Sequence, residues 1–295
     1  MPAFPVHTPY DGSRRPFAIG LAPLDLAGWI EVDDRLAGDL AEKDRLLATR
    51  RDAVFREEPE TRAAQREVLD LVADHVIGRF PDRYVRRGDV IRIAAVDRAV
   101  DLAEEQPLVA AARLVQEDLV LMRRGPQGWR LAAAVLCFPS SWSLAEKFGG
   151  SLDAIHAPVP GYAETLSARV ARIFDALRVE TPLWRLNWSI YPDADLHHPE
   201  PKTLLPDVAG DIAAHAFVRV ERQTLRRLPM TGDVLFTIRI HVDPVASLRA
   251  HPEGARLAAG LALQIRQLTE RESAYKGLAV ARERLLDALD LMAAT

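Results

Sequence analysis

The chain has 295 residues, 48% of them hydrophobic and 27% charged, with a net charge of −4 and a single cysteine, Cys137. That length holds one large domain or two small ones, and the charge balance offers no global positive field for nucleic acid or an anionic membrane. One cysteine excludes an intrachain disulfide framework and all but excludes a cysteine-ligated zinc or iron–sulfur site; no run approaches the ~20 apolar residues of a membrane span, so the expected compartment is the cytoplasm.

Residues 1–25 carry Pro2, Pro5, Pro9, Pro16 and Pro23 and no apolar core, which reads as an extended, wrapping segment rather than a signal peptide. Helical spacing follows, with Leu36, Leu40 and Leu47 near one face. A second helix is expected over about 60–80, its stripe being Val68, Leu69, Val72, Val76 and Phe80, with Pro81 ending it. Residues 96–102 fit neither period. Pro107 opens a short helix that ends near Leu114.

The texture changes at Val115. Two apolar runs, 119–122 and 129–138, flank Gly125-Pro126-Gln127-Gly128, and this pattern predicts a β-hairpin. Short helical pieces follow at 144–148 and 152–155. Leu166, Val170, Ile173, Phe174 and Leu177 then line one face of an amphipathic helix. Three more strands are expected at 183–191, 216–225 and 234–242, the last two joined through the loop 229–233. A terminal helix carries Leu257, Leu261, Ile265 and Leu268. The expectation is an α+β fold. Two strands, a helical crossing and three strands is the layout of a PAS domain. A PAS-like antiparallel sheet of about five strands should span 115–243, with extended and helical extensions at 1–114 and 244–295, all in one integrated unit.

Six blocks carry a resemblance. They are Val115-Gln116-Glu117-Asp118-Leu119; Cys137-Phe138-Pro139-Ser140-Ser141-Trp142 with Glu146-Lys147; Ile155-His156-Ala157-Pro158-Val159-Pro160-Gly161-Tyr162; Arg185-Leu186-Asn187-Trp188-Ser189-Ile190 with His198-Pro199; Arg219-Val220-Glu221-Arg222-Gln223-Thr224-Leu225-Arg226-Arg227-Leu228-Pro229; and Leu235-Phe236-Thr237-Ile238-Arg239 with Tyr275-Lys276-Gly277. Together, in this order, they resemble the haem-dependent oxidative N-demethylase family. The resemblance implies a PAS-like fold enclosing haem b. It also implies oxygen-dependent removal of a methyl group from a small secondary amine such as dimethylamine, giving the primary amine and formaldehyde. The electrons would come from a separate flavin and iron–sulfur reductase subunit using NAD(P)H. One departure is His197, where the family often has an aromatic residue before His-Pro.

Haem iron needs an axial ligand. His156, in a proline-stiffened loop, is the first candidate; alone it reads equally as a histidine capping a backbone group. His198 is the alternative ligand. His197 beside it is a pocket candidate, and the pair with Asp193 or Asp195 is a weak metal motif. Cys137 reads as an inert buried thiol. Oxygen activation calls for a donor beside developing negative charge. Strand alternation puts Val218, Val220, Arg222 and Thr224 on one face, so Arg222 is the candidate, against a plain Arg–Glu pair at the sheet edge. Lys147, Arg226 and Arg227 are candidates for haem propionates. Tyr162 is a candidate donor to oxygen or substrate, and Trp142 and Trp188 are candidate walls. A small ammonium substrate calls for a carboxylate. Glu117, with Asp118, is the nearest acidic candidate, and Asn187 and Glu221 are further polar contacts. His75 reads as a core histidine, while His7, His215, His241 and His251 carry no usable signal. The competing readings are a non-catalytic haem-binding PAS sensor and a haem-free assembly subunit.

Overall fold

The computed structural model describes residues 4–103, 106–206 and 208–295. The α+β class holds. Among the described residues, ten strands form two antiparallel sheets: β1 Ala22–Pro23, β2 Phe55–Glu57, β3 Tyr84–Arg87, β4 Val90–Ile93, β5 Arg98–Asp101, β6 Asp118–Gly125, β7 Gly128–Val135, β8 Leu183–Tyr191, β9 Phe217–Arg227 and β10 Val234–Pro244. The large sheet has seven strands in the order β1-β8-β9-β10-β6-β7-β2; β3, β4 and β5 make a small second sheet.

The five expected strands are present as β6 to β10. The β6–β7 hairpin closes with Gly125 paired to Gly128. Gly128 sits at φ 97°, a left-handed conformation that glycine adopts without a Cβ penalty. The count of about five is corrected in two ways. β1 and β2 extend both edges of the sheet, and residues 84–101 supply the separate three-stranded sheet. β1 has two residues and β2 three, too few to show a period of two, so partner strands rather than their own pattern make them extended.

Two apolar cores hold the molecule. In the first, the expected stripes of helices Leu36–Thr49 and Arg62–Arg79 pack with Leu119, Leu121, Leu131 and Val135. In the second, Leu257, Leu261 and Ile265 of helix Gly254–Arg266 and Leu285 and Leu289 of helix Arg282–Ala293 pack on Trp188, Ile190, Val218 and Val220. The helix predicted from Leu166 to Leu177 is present as Ser167–Ala176. No described helix is long and apolar enough to cross a membrane.

Candidate functional site

Helix Ser167–Ala176, two short helices before it and the N-terminal segment roof one face of the large sheet and leave a deep cavity between. Its empty volume, mouth included, is about 1490 Å³. The floor comes from alternate residues of neighbouring strands: Val120 and Met122 on β6, Phe236 and Ile238 on β10, Glu221, Gln223 and Leu225 on β9. The roof is apolar, with Val170, Ile173 and Phe174 from the amphipathic helix and Phe17 and Ile19 from the N-terminal segment.

Six of the sequence-predicted site residues meet here: Trp142, Lys147, His156, Tyr162, Asn187 and Glu221. His156 ends helix Leu152–His156, and its Nδ1 lies 2.8 Å from the Leu152 carbonyl oxygen. A ring tied through Nδ1 presents Nε2 as its lone-pair nitrogen. Burial holds the imidazole below its ordinary pKa, against the pull of that hydrogen bond, so the ring stays neutral at pH 7. Tyr162 stacks on it at 4.7 Å and 10°. The Tyr162 hydroxyl is buried close to Asp153, and burial, then the Asp153 charge and hydrogen bond, pushes its phenol up to about 12. It is therefore a neutral donor, with the Asp153 carboxylate beside it as an acceptor. Lys147 donates from Nζ to the Ile155 carbonyl and sits 5.3 Å over the Trp142 ring.

A polar group that the sequence reading placed only loosely lies across β8 and β9. Arg185 faces Gln223 and Asn187 faces Glu221 in the strand register. All four line the cavity, together with Tyr275. Gln223 donates to Glu221 Oε2 at 2.6 Å. Arg185 Nε has no hydrogen-bond partner, and burial lowers the guanidinium pKa although Glu221 opposes the shift. Burial, then the Glu221 charge, pushes the Tyr275 phenol up to about 12. Arg185, Gln223 and Tyr275 stand in the blocks that carry the resemblance but were given no role in the site. The signal was available in the alternation of β9, whose odd-numbered face was assigned no cavity.

The other predicted residues lie elsewhere. Arg222 is on the opposite face of β9. Its Nε is 3.0 Å from Glu31 Oε1, and Nη1 donates to the Trp29 carbonyl at 3.0 Å. It is the Arg–Glu pair of the plainer reading, buried under the stretch after β1 instead of lying at a sheet edge. Arg226 stacks 4.4 Å over Trp29 on that same side. Arg227 donates to the Leu177 and Phe174 carbonyls at 2.7 and 3.0 Å. Trp188 belongs to the second core and donates to Gln264 at 2.7 Å. Glu117 is fully buried behind the sheet, where Oε1 accepts from Glu31 N–H at 2.9 Å and burial raises its pKa. Asp118 accepts from the Cys137 and Phe138 amides at 2.8 Å each, and burial raises its pKa to about 6.

His198 packs on Tyr191 at 4.7 Å with Nε2 3.1 Å from Asp193, outside the cavity lining. His197 turns away from it and bonds the Cys137 carbonyl at 2.7 Å, so the adjacent pair does not converge on one point. Cys137 is buried with its thiol pKa raised by burial, as an inert thiol should be. His75 lies edge-on to Trp29 at 5.2 Å, with burial lowering its pKa to about 4.

The cavity thus combines apolar walls, a neutral imidazole fixed through one nitrogen, a buried neutral phenol and a carboxylate beside an amide. The family model described as haem-dependent oxidative N-demethylase, alpha subunit-like matches residues 20–286, which include every cavity residue except Phe17 and Ile19. The chain belongs to the haem-dependent oxidative N-demethylase alpha subunit-like family, an alpha-subunit family that implies further subunits.

Proposed function

We propose that this chain is the haem-carrying, catalytic subunit of an oxidative N-demethylase. It would take a small secondary amine such as dimethylamine, with dioxygen and external electrons, to the primary amine and formaldehyde. The observation that carries the reading is His156, tied through Nδ1 to the Leu152 carbonyl at 2.8 Å on the wall of a deep, mostly apolar cavity. A backbone-anchored neutral imidazole is the form in which histidine ligates iron.

The residues fit haem b. His156 would hold the iron, Val120, Met122, Ile173, Phe174, Leu225 and Phe236 would enclose the macrocycle, and the cations Arg185 and Lys147 suit its propionates. Bound haem supplies the oxygen activation, while the protein sets ligand, polarity and access. The order of β6 to β10 in the sheet, third, fourth, fifth, first and second, supports a PAS-like core over 115–243.

A small secondary amine is an ammonium ion at pH 7. Glu221 takes over the role expected of Glu117, because its carboxylate is in the cavity and Glu117's is not. Its carboxylate accepts an N–H of the ammonium, and Gln223 on Oε2 keeps it aimed. Asn187, opposite, orients the substrate. The Tyr162 hydroxyl, in the cavity wall, is placed to donate toward negative charge developing on oxygen.

The test is an absorption spectrum of protein produced with added haem precursor, then titrated with dimethylamine. Wild type and His198→Ala should show a Soret band that shifts saturably with amine; His156→Ala should lose it. Glu221→Gln should keep the band and bind amine roughly 10- to 100-fold more weakly, the loss of one charge-assisted hydrogen bond. Full haem occupancy in His156→Ala would overturn the ligand assignment. A Soret band indifferent to amines would remove the substrate and favour a haem sensor.

A further inference from the structure

Behind the sheet, on the face opposite the cavity, three side chains from distant parts of the chain converge. His7 comes from the N-terminal segment, Glu31 from the stretch after β1, and His241 from β10. Their donor atoms all lie within 4.8 Å of one another. Glu31 is the centre: Oε2 is 3.1 Å from His7 Nε2 and 3.0 Å from His241 Nε2. The side chains are only 14%, 27% and 11% exposed, in the order His7, Glu31, His241.

We propose that His7, Glu31 and His241 form a site for a divalent transition-metal ion of the zinc class, which fastens the N-terminal segment to the sheet. Two imidazoles and one carboxylate are the donor set of borderline ions, not of calcium or magnesium, which want oxygens throughout. Donors about 2.0–2.1 Å from a tetrahedral ion stand roughly 3.3 Å apart. The 3.0 and 3.1 Å separations around Glu31 Oε2 are near that spacing, so small side-chain adjustments admit an ion. A bound ion would replace the hydrogens that the two Nε2 atoms must otherwise carry toward one carboxylate, and water would complete the coordination.

Arg222 is the natural objection, since it places a positive charge 3.0 Å from Glu31 Oε1. It contacts Oε1, which His7 Nε2 also approaches at 3.0 Å, whereas Oε2 lies within 3.1 Å of both histidines. Arg222 therefore orients the carboxylate as an outer partner does, at some cost in affinity. Glu31 and His241 belong to the packed body, whereas His7 rides on the segment that crosses it. Occupancy of the site consequently changes how firmly that segment is held. The inference is independent of the haem reading, because the site and the cavity are on opposite faces of the sheet.

The experiment is equilibrium dialysis of the purified protein against zinc after treatment with a chelator, with zinc per chain counted by elemental analysis separately from iron. Wild type should retain one zinc. His7→Ala, on the peripheral segment, and His241→Gln should each bind at least about tenfold more weakly while keeping the far-UV circular dichroism of the parent. Trypsin cleavage after the exposed Arg14 should slow on adding zinc to wild type, and not in His7→Ala. No retained zinc in wild type overturns the proposal. So does equal retention by both variants, which would put the ion elsewhere, for example near His197 and His198.

Discussion

Strand alternation told correctly which residues of β9 share a face, but not which face the cavity would occupy. Val218 and Val220 marked the even-numbered side as interior, and it is interior; the C-terminal helices cover the valines and Glu31 covers Arg222. The odd-numbered side was given no face of its own, although Glu221 and Gln223 on it line the cavity. His156 was expected in a proline-stiffened loop and instead ends helix Leu152–His156, with its ring turned onto the cavity wall. Lys276 was not legible, since only the fold shows it buried, donating to Asn187 Oδ1 at 3.0 Å and to the Trp188 carbonyl, between the Phe17 and Trp188 rings at 4.9 Å each. Burial brings its pKa down from 10.5 to about 7. The sign follows: below about 7 the lysine is charged in both folded and unfolded chains, and above 10.5 it is neutral in both. Between them the unfolded chain binds the extra proton, so stability rises with pH across that window. Replacing Lys276 by Met should remove this alkaline gain. Melting temperatures of the two proteins should diverge between pH 7 and pH 10, wild type gaining; parallel curves would show that Lys276 does not titrate there.

At the scale of elements, long periodic segments were readable and short ones were not. β8 has the expected bounds, and helix Ser167–Ala176 turns its expected stripe toward the cavity. β1, β2 and the small sheet depend on partners distant in sequence. The same dependence explains Gly260, inside helix Gly254–Arg266, where glycine costs about 1 kcal/mol against alanine. A Cβ there would stand 2.5 Å from the Asp11 carbonyl carbon and 2.7 Å from the Tyr10 carbonyl oxygen. The N-terminal segment crosses the helix at that point, with Gln264 donating to the Pro9 carbonyl at 3.1 Å. Gly260→Ala should therefore destabilise by about 1–3 kcal/mol despite the better helix former, since overpacking outweighs propensity. A lower melting temperature with faster trypsin cleavage after Arg14 is the expected result. A stabilised variant would show that segment and helix do not approach so closely.

For the whole molecule, the proposed function requires electrons from outside the chain. A single cysteine leaves no ligand set for an iron–sulfur cluster, and the family is that of an alpha subunit. Haem-loaded chain mixed with dimethylamine, oxygen and NADPH alone should release no formaldehyde. Adding a complementing reductase subunit should start turnover. Formaldehyde from the isolated chain with NADPH would refute an external donor. Composition, periodicity and the ordered blocks by themselves determined the α+β class, the five central strands, the apolar helix that roofs the cavity and the family, because each is written in local spacing or in contiguous residues. Only the tertiary structure decided which sheet face holds the cavity, that Glu221 and not Glu117 reaches it, and that His7, Glu31 and His241 meet. Those outcomes depend on which segments cross which face of the sheet, and residues 7, 31 and 241 share no local pattern from which a crossing can be read.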